Sequence, residues 1–115
     1  MSDFERCPCC GLPTLDARGR FELCPVCWWE DDGQDDPHAD EVWGGPNKDY
    51  SLSHARANYL DHFDMYDEGK GIGVVANPSP ARKMLLAYLR SVRDGERGWD
   101  ERTLHGLLRG LTHDG

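Results

Sequence analysis

Two pairs of cysteines with the same spacing limit the fold of this chain more than any other feature. Residues 7–10 and 24–27 are both Cys-x-x-Cys units, and thirteen residues separate them. Such a unit turns tightly and brings both sulfurs to one side of the turn, so two units can surround one ion with four thiolates in a tetrahedron. Pro8 and Pro25 fix the backbone at the second position of each turn. The spacing predicts a zinc site formed by Cys7, Cys10, Cys24 and Cys27.

The size and polarity of the chain explain why it would need a metal. The chain has 115 residues, and its first 48 contain 11 acidic and 4 basic residues but few aliphatic ones. A polar segment of this size cannot bury enough apolar surface to fold alone. A structural zinc ion contributes on the order of 10–16 kcal/mol in small peptides, which exceeds what so small a core supplies. We therefore expect one Zn²⁺ per chain, with a role in folding.

The same four cysteines are also consistent with states other than a zinc site. Four cysteines can also hold iron, as in rubredoxin, or remain free thiols, or form a redox-active disulfide. A four-sulfur zinc site is closed, whereas a catalytic zinc ion keeps an open position for water and usually has His or carboxylate ligands. The five histidines are not spaced as such ligands. The pattern therefore favours a structural ion, with iron as the minor alternative.

The fifth cysteine, Cys9, is left over once the pairs are assigned. Pairing Cys7 with Cys10 keeps the Cys-x-x-Cys geometry and places Gly11 where the turn favours a left-handed residue. Trp28 occupies the matching place in the second unit, so we expect that turn to be less regular. Cys9 then points away from the metal. It is either a small buried apolar residue or an additional reactive thiol.

The pattern along the chain predicts an α+β protein. Residues 11–23 read as a β-hairpin with its turn at Arg18-Gly19, so the amino-terminal part is a small zinc ribbon. Helices are predicted over residues 51–66, after the N-cap Ser51, and after the N-caps Ser79 and Asp100. We expect a ribbon-like domain over 1–66, a flexible connection over 67–78 and a helical hairpin over 79–115.

Acidic residues are concentrated directly after the second cysteine pair. Seven of the twelve residues from 30 to 41 are acidic, and the whole chain carries a net charge of −8. The segment is a solvated loop, a docking face for a basic protein partner, or a site for a hard cation. The candidate docking residues are Asp31, Asp32, Asp35 and Asp36.

The charge and hydropathy of the chain argue against two classes of partner. A phosphate backbone is normally bound by a basic surface, which a chain of this charge lacks overall. The one basic concentration consists of Arg82, Lys83, Arg90, Arg93 and Arg97. Residues 83, 90, 93 and 97 lie on one side at helical spacing, which is either a solvated face or a binding face. No apolar run approaches the length of a membrane span, and the amino terminus lacks the apolar region of a secretory signal. We therefore expect a cytoplasmic protein.

Four motifs in order resemble the bacterial cysteine-rich CPCC family. They are CPCCG at residues 7–11, CPVCWWEDD at 24–32, GGPN at 44–47 and SLSHARANY at 51–59. The resemblance covers roughly residues 5–64 and leaves residues 65–115 unmatched. It implies a small, cytosolic, zinc-binding domain but supplies no activity. A typical member has an acidic residue near His54, and this departure affects only the cap of the helix.

Three functions are consistent with the sequence. The first is a non-enzymatic zinc-ribbon module that binds another protein, as an adaptor or an immunity-type protein would. The second is a thiol-redox or zinc-dependent enzyme that uses Cys9. The third is a nucleic-acid-binding ribbon assisted by the basic helix. The closed four-sulfur site and the acidic charge favour the first.

Overall fold

A computed structural model describes residues 4–114 of the chain, with side chains described up to residue 111. The chain forms two compact units, Met1–Lys70 and Gly71–Gly115. The boundary falls within the segment that we expected to be a flexible connection. That segment contains a short helix, α2, over Gly73–Ala76. In the described part of the chain, the fold combines a two-stranded antiparallel hairpin with four helices.

The hairpin of the first unit surrounds the first cysteine pair. Strand β1 (Glu5–Arg6) pairs with strand β2 (Pro13–Leu15), so that Glu5 lies opposite Leu15. An isolated antiparallel bridge between Leu23 and Glu30 surrounds the second pair in the same way. Each cysteine turn is therefore held between two extended segments that are close in sequence.

This pairing corrects the hairpin predicted over residues 11–23. The backbone N–H of Phe21 donates to the carbonyl of Asp31 (2.8 Å), and the N–H of Asp31 donates to the carbonyl of Glu22 (3.0 Å). Residues 21–23 thus pair with the segment after the second cysteine turn rather than with residues 13–15. The cysteine turns reverse the chain themselves, so each closes its own short loop. The alternation of Phe21 and Leu23 predicted a strand here, but the structure has only an isolated bridge at Leu23, and its partner is Glu30.

Helix α1 (Leu52–His62) follows a loop that contains two short 3₁₀ turns, Asp36–His38 and Gly45–Asn47. The Ser51 hydroxyl accepts a hydrogen bond from the His54 N–H (3.0 Å), as the N-cap prediction requires. The helix ends before the predicted residue 66 because Phe63 adopts a left-handed conformation, with φ at 71°. The chain then turns back, and the Met65 N–H donates to the Cys27 carbonyl (2.8 Å).

The core of the first unit lies around the cysteines and one face of α1. Four of the five cysteines are themselves part of it, which is why so polar a segment has an interior at all. Its other buried apolar side chains include Leu15, Val26, Trp29, Leu52, Ala55 and Met65.

The second unit contains the short helix α2 and two longer helices that pack together. Helix α3 (Pro80–Arg93) starts after Ser79, whose hydroxyl accepts from the Arg82 N–H (3.1 Å), and it packs against α4 (Glu101–Asp114). Its buried side chains include Leu85, Tyr88, Leu89 and Leu104. The Tyr88 hydroxyl donates to the Asp100 carbonyl (3.1 Å) and accepts from the Asp100 N–H (2.7 Å), which fixes the connection between the helices. No helix in the described part of the chain has both the length and the apolar character of a membrane span.

Candidate metal centre

The sulfurs of four cysteines converge in the first unit. All four lie within 4.8 Å of one another, with Cys7 Sγ 3.6 Å from Cys27 Sγ and Cys10 Sγ 3.7 Å from Cys24 Sγ. A tetrahedral ion with metal–sulfur bonds near 2.3 Å separates its ligands by about 3.8 Å. All of these thiols are free, so no disulfide competes for them. Cys7, Cys10, Cys24 and Cys27 are therefore positioned to bind a metal ion.

The two cysteine turns share one backbone geometry. The N–H of Gly11 donates to the Cys7 carbonyl (2.8 Å), and the N–H of Trp28 donates to the Cys24 carbonyl (3.0 Å). Both donors are left-handed, with φ of 75° at Gly11 and 73° at Trp28. We expected the second turn to be less regular because Trp28 is not a glycine. Instead the tryptophan adopts the same conformation, at a cost of about 1–2 kcal/mol that the rest of the site must offset.

Burial makes the cluster unfavourable for several negative charges without a cation. Cys7, Cys24 and Cys27 are almost completely buried, and Cys10 is partly exposed. Burial raises the pKa of the Cys27 thiol well above its ordinary value. Burial also opposes ionisation of Cys24, but hydrogen bonds from the other thiols and from Thr14 outweigh it and lower its pKa. A divalent cation would favour all four thiolates together, so metal binding here releases protons.

Thr14 is a neighbour of the site that sequence analysis missed. Its hydroxyl oxygen lies 3.1 Å from Cys24 Sγ, within reach to donate a hydrogen bond to a thiolate. Hydrogen bonds of this kind orient the ligands of a metal and spread their charge. Thr14 lies on β2, and only the folded arrangement of β2 against the second cysteine pair reveals the contact.

Cys9 does not join the four-sulfur group. Its side chain is 7% exposed and lies in the core. Arg56 of α1 donates from Nε to the carbonyl of the preceding Pro8 (2.8 Å), which holds the first cysteine turn against the helix. The burial of Cys9 gives no support to thiol chemistry at this residue and matches the small buried apolar residue of the first alternative.

Two arginines of the first unit neutralise part of the acidic segment, which reduces the predicted docking face. Asp31 is completely buried, and its Oδ2 accepts from Arg18 Nε (2.7 Å) and from the Gly19 N–H (2.8 Å). Arg18 also pairs with Asp35 (2.8 Å), and this ion pair lowers the pKa of the Asp35 carboxyl. Asp31 is therefore unavailable to a partner, because it anchors the loop to the turn at residues 18–19.

The remaining two residues of the predicted face differ from each other. Asp32 Oδ1 accepts from the Gln34 N–H (3.0 Å), and its side chain is only partly exposed. Asp36 remains largely exposed, although it pairs with Arg56 (2.7 Å). Of the four candidates, only Asp35 and Asp36 lie substantially at the surface, each already paired with an arginine.

The histidines bind carboxylates or carbonyls at the surface of the first unit. His38 Nδ1 lies 2.7 Å from Glu41, and His54 Nε2 lies 2.6 Å from Asp67. His62 Nε2 lies 2.6 Å from the Tyr66 carbonyl. Among the residues whose side chains are described, no histidine or carboxylate joins the four sulfurs as a potential ligand.

Comparison with known families identifies the part of the chain that contains the cysteines. The family model described as "Cysteine-rich CPCC" matches residues 5–79, which is more than half of the chain and includes all five cysteines. Comparison with curated proteins gave no significant match, and comparison with solved structures gave none either. The match leaves helices α3 and α4 outside the family region. The chain therefore belongs to the cysteine-rich CPCC family.

Proposed function

We propose that the chain binds one Zn²⁺ ion through Cys7, Cys10, Cys24 and Cys27, and that this ion is structural. The convergence of four free sulfurs within 4.8 Å carries the proposal. Four thiolates complete a tetrahedron and leave no open position for a substrate or a water. Two cysteine turns, each held between extended segments, support a zinc-ribbon-like class for the first unit.

Zinc suits this unit because of what the rest of the unit lacks. Its strands contain two and three residues, too few to hold a sheet together by themselves. Zinc has no redox chemistry and no geometric preference of its own that would distort the turns. Four thiolates also accept iron, so iron is a defined outcome of the test rather than a separate function.

The test measures the metal and its coordination in purified protein. We expect one zinc per chain, and a cobalt-substituted form with the absorption spectrum of a tetrahedral four-sulfur site. Cys7→Ser should lose the metal or bind it weakly, whereas the matched control Cys9→Ser should bind it as the wild type does. A coloured iron protein would reject zinc, and equal metal loss in both variants would reject the assigned ligand set.

We also infer that the unit acts as a non-enzymatic module that binds another protein. A closed metal site offers scaffold rather than chemistry. Large apolar side chains beside the second cysteine pair support a contact surface: Phe21 is 58% exposed and Leu23 is 43% exposed. Exposed Phe21 is held in a left-handed conformation, with φ at 60°, which a folded chain maintains only where its surroundings determine it.

The interaction is tested by capture of a partner from the source cell with metal-loaded protein. Phe21→Ser removes the most exposed apolar side chain beside the cysteine turn, and Leu60→Ser removes an even more exposed apolar side chain on α1 as a control. Loss of one specific partner with Phe21→Ser alone supports the module. Retention of every captured protein by both variants discards this surface.

A further inference from the structure

A pocket of about 310 Å³ lies in the first unit, apart from the four sulfurs. The residues of one wall come directly after the 3₁₀ turn Gly45–Asn47 in the chain, and those of the other wall come after the end of α1. It is lined by Lys48, Asp49, Tyr50, Tyr66, Asp67 and Lys70. Its size falls in the range of sites for small ligands, and metal binding at the cysteines makes no use of it.

The pocket has more free hydrogen-bond donors than free acceptors. Neither Lys48 nor Lys70 forms an ion pair with a residue whose side chain is described. The Tyr50 hydroxyl oxygen accepts from the Asp67 N–H (2.9 Å), which leaves its own proton to donate. Donors in this number favour an oxyanion as the ligand.

The carboxylate of Asp67 is the main group that could oppose such a ligand. Its Oδ1 already faces His54 Nε2 (2.6 Å) and accepts from Asn58 Nδ2 (3.1 Å). The hydrogen bond from Asn58 lowers the pKa of the Asp67 carboxyl most, and the hydrogen bond with His54 lowers it further. Asp67 keeps its negative charge, so the two ammonium groups of the pocket face two carboxylates. The Oδ1 of Asp67 is directed to α1, which leaves Asp49 as the carboxylate with no described hydrogen bond, and the lysines and the Tyr50 hydroxyl supply the free donors.

Two aromatic rings form the apolar part of the pocket. Tyr50 and Tyr66 meet edge to face with their centroids 5.9 Å apart, and Tyr66 is buried. Rings in this arrangement present both an edge and a face, and they pack well against another planar ring. The ligand that matches both halves of the pocket carries an aromatic ring and a negative charge.

Lys48 occupies a backbone conformation that normally requires glycine. Its φ is 55° and its ψ is −128°, and the turn is closed by the Tyr50 N–H, which donates to the Asn47 carbonyl (3.1 Å). These angles are those of the first central residue of a type II′ turn. Residues held in such strain concentrate at ligand sites, because the fold keeps the side chain where it is needed. A lysine here points to use of its ammonium group.

Both walls are hydrogen-bonded to the segment that contains the second cysteine pair. The buried Asn47 side chain accepts from the Glu30 N–H (3.0 Å) and donates to the Glu30 carbonyl (2.7 Å). On the other wall, the Met65 N–H donates to the Cys27 carbonyl (2.8 Å). The pocket is therefore built on the same backbone as the metal centre.

We propose that this pocket binds an aromatic carboxylate. The carboxylate lies between Lys48, Lys70 and the Tyr50 hydroxyl, and the ring packs against Tyr50 and Tyr66. The ligand is either a free aromatic acid or the carboxyl end of a peptide that terminates in an aromatic residue, since both present the same groups. The proposal goes beyond metal binding and does not depend on which metal the cysteines hold.

The first experiment titrates the metal-loaded full chain with three probes, with binding followed by NMR shifts of residues 48–50 and 66–70. N-acetylphenylalanine should bind saturably. Its carboxamide, which keeps the ring and loses the charge, should bind at least about tenfold more weakly. Acetate, which keeps the charge and lacks the ring, should also bind more weakly. Equal affinity for the acid and the carboxamide, or no saturable binding of the acid, overturns the proposal.

The second experiment uses the strain at Lys48. Lys48→Gly removes the ammonium group and suits the backbone, so the variant should fold at least as stably as the wild type and bind N-acetylphenylalanine at least about tenfold more weakly. Lys83→Gln, on α3 and outside the pocket, is the matched loss of one charge and should leave affinity unchanged. Unchanged binding by Lys48→Gly, or equal weakening by both variants, rejects the site.

A third measurement separates the two sources of the ligand. A hexapeptide that ends in phenylalanine is compared with N-acetylphenylalanine on the wild-type chain. Tighter binding of the hexapeptide assigns the pocket to a chain end, and weaker binding assigns it to a free acid. Either result is consistent with the proposal, provided that binding is weakened by Lys48→Gly.

Discussion

The two units of this chain have interiors of different kinds. In the first unit, four buried cysteines and Trp29 occupy the centre, and the strands around them contain two and three residues. In the second unit, α3 and α4 bury an apolar stripe that includes Leu85 and Leu104. A helix pair buries apolar surface continuously along its length, whereas short extended segments need a crosslink. One unit of the chain is thus organised around a cluster of four cysteines, and the other is organised around an apolar stripe buried between two helices.

The two units also differ in charge. Acidic residues are concentrated before residue 70, and two arginines of the first unit neutralise some of them: Arg18 pairs with Asp31 and Asp35, and Arg56 pairs with Asp36. Most of the remaining cations lie on α3 and α4. The comparison shows that a strongly acidic segment can have less free acidic surface than its composition suggests, because the fold uses part of its charge internally.

Removal of the metal should have the largest effect and should affect only one unit. Structural zinc contributes on the order of 10–16 kcal/mol of apparent binding free energy, which is folding free energy for the unit that it holds. A strong chelator should therefore expose Trp29, in the first unit, and leave Trp99, in the second unit, unchanged. Separate indole N–H signals in an NMR spectrum measure this. Simultaneous loss of both signals would show that the units are not independent in stability.

Shortening a side chain of the apolar stripe should destabilise the second unit and leave the first unit unchanged. Leu104→Ala should destabilise the second unit by about 2–5 kcal/mol, because it leaves a cavity in a core with no metal to hold it. The zinc content and the Trp29 signal should remain those of the wild type. Met84→Ala on exposed α3 surface is the control and should cost less than about 0.5 kcal/mol. Metal loss in Leu104→Ala would contradict the comparison.

Substitutions of a buried and an exposed aspartate in the acidic segment should differ in their effect on stability. Asp31→Asn should lower the free energy of unfolding of the metal-loaded protein by about 2 kcal/mol, because Arg18 and the Gly19 N–H lose a charged acceptor. Asp36→Asn, at the exposed end of the same segment, should change it by less than about 0.5 kcal/mol. Urea unfolding measures both. Equal effects would indicate that Asp31 is not used internally.

The last of these effects concerns metal affinity and should come from the neighbour of the metal ligands. Thr14→Val keeps the shape of the side chain and removes the hydroxyl that reaches Cys24, so metal affinity should fall about 10- to 100-fold. Thr14→Ser keeps the hydroxyl and should retain most of the affinity. Competition with a chromophoric chelator gives both values. Equal affinity in Thr14→Val and the wild type would remove the hydroxyl from the site.

Some features of the fold were predictable because their causes are local. The N-caps Ser51 and Ser79 begin their helices where the sequence placed them, because a hydroxyl satisfies the backbone of the next turn without help from distant residues. The end of α1 was not predictable in the same way. The apolar spacing continues to Tyr66, but the backbone turns back at Phe63 to reach the carbonyl of Cys27.

The sequence by itself determined the cysteine turns, the helix starts and the family, because each depends on residues within one or two turns of one another or on a motif read in order. The tertiary structure decided which strands pair, that Asp31 is buried against Arg18, that Thr14 reaches Cys24, and that Lys48 and Lys70 line one pocket. These contacts join residues distant in the chain. Their energies depend on how the loops close and on which charges are removed from water, neither of which a local pattern contains.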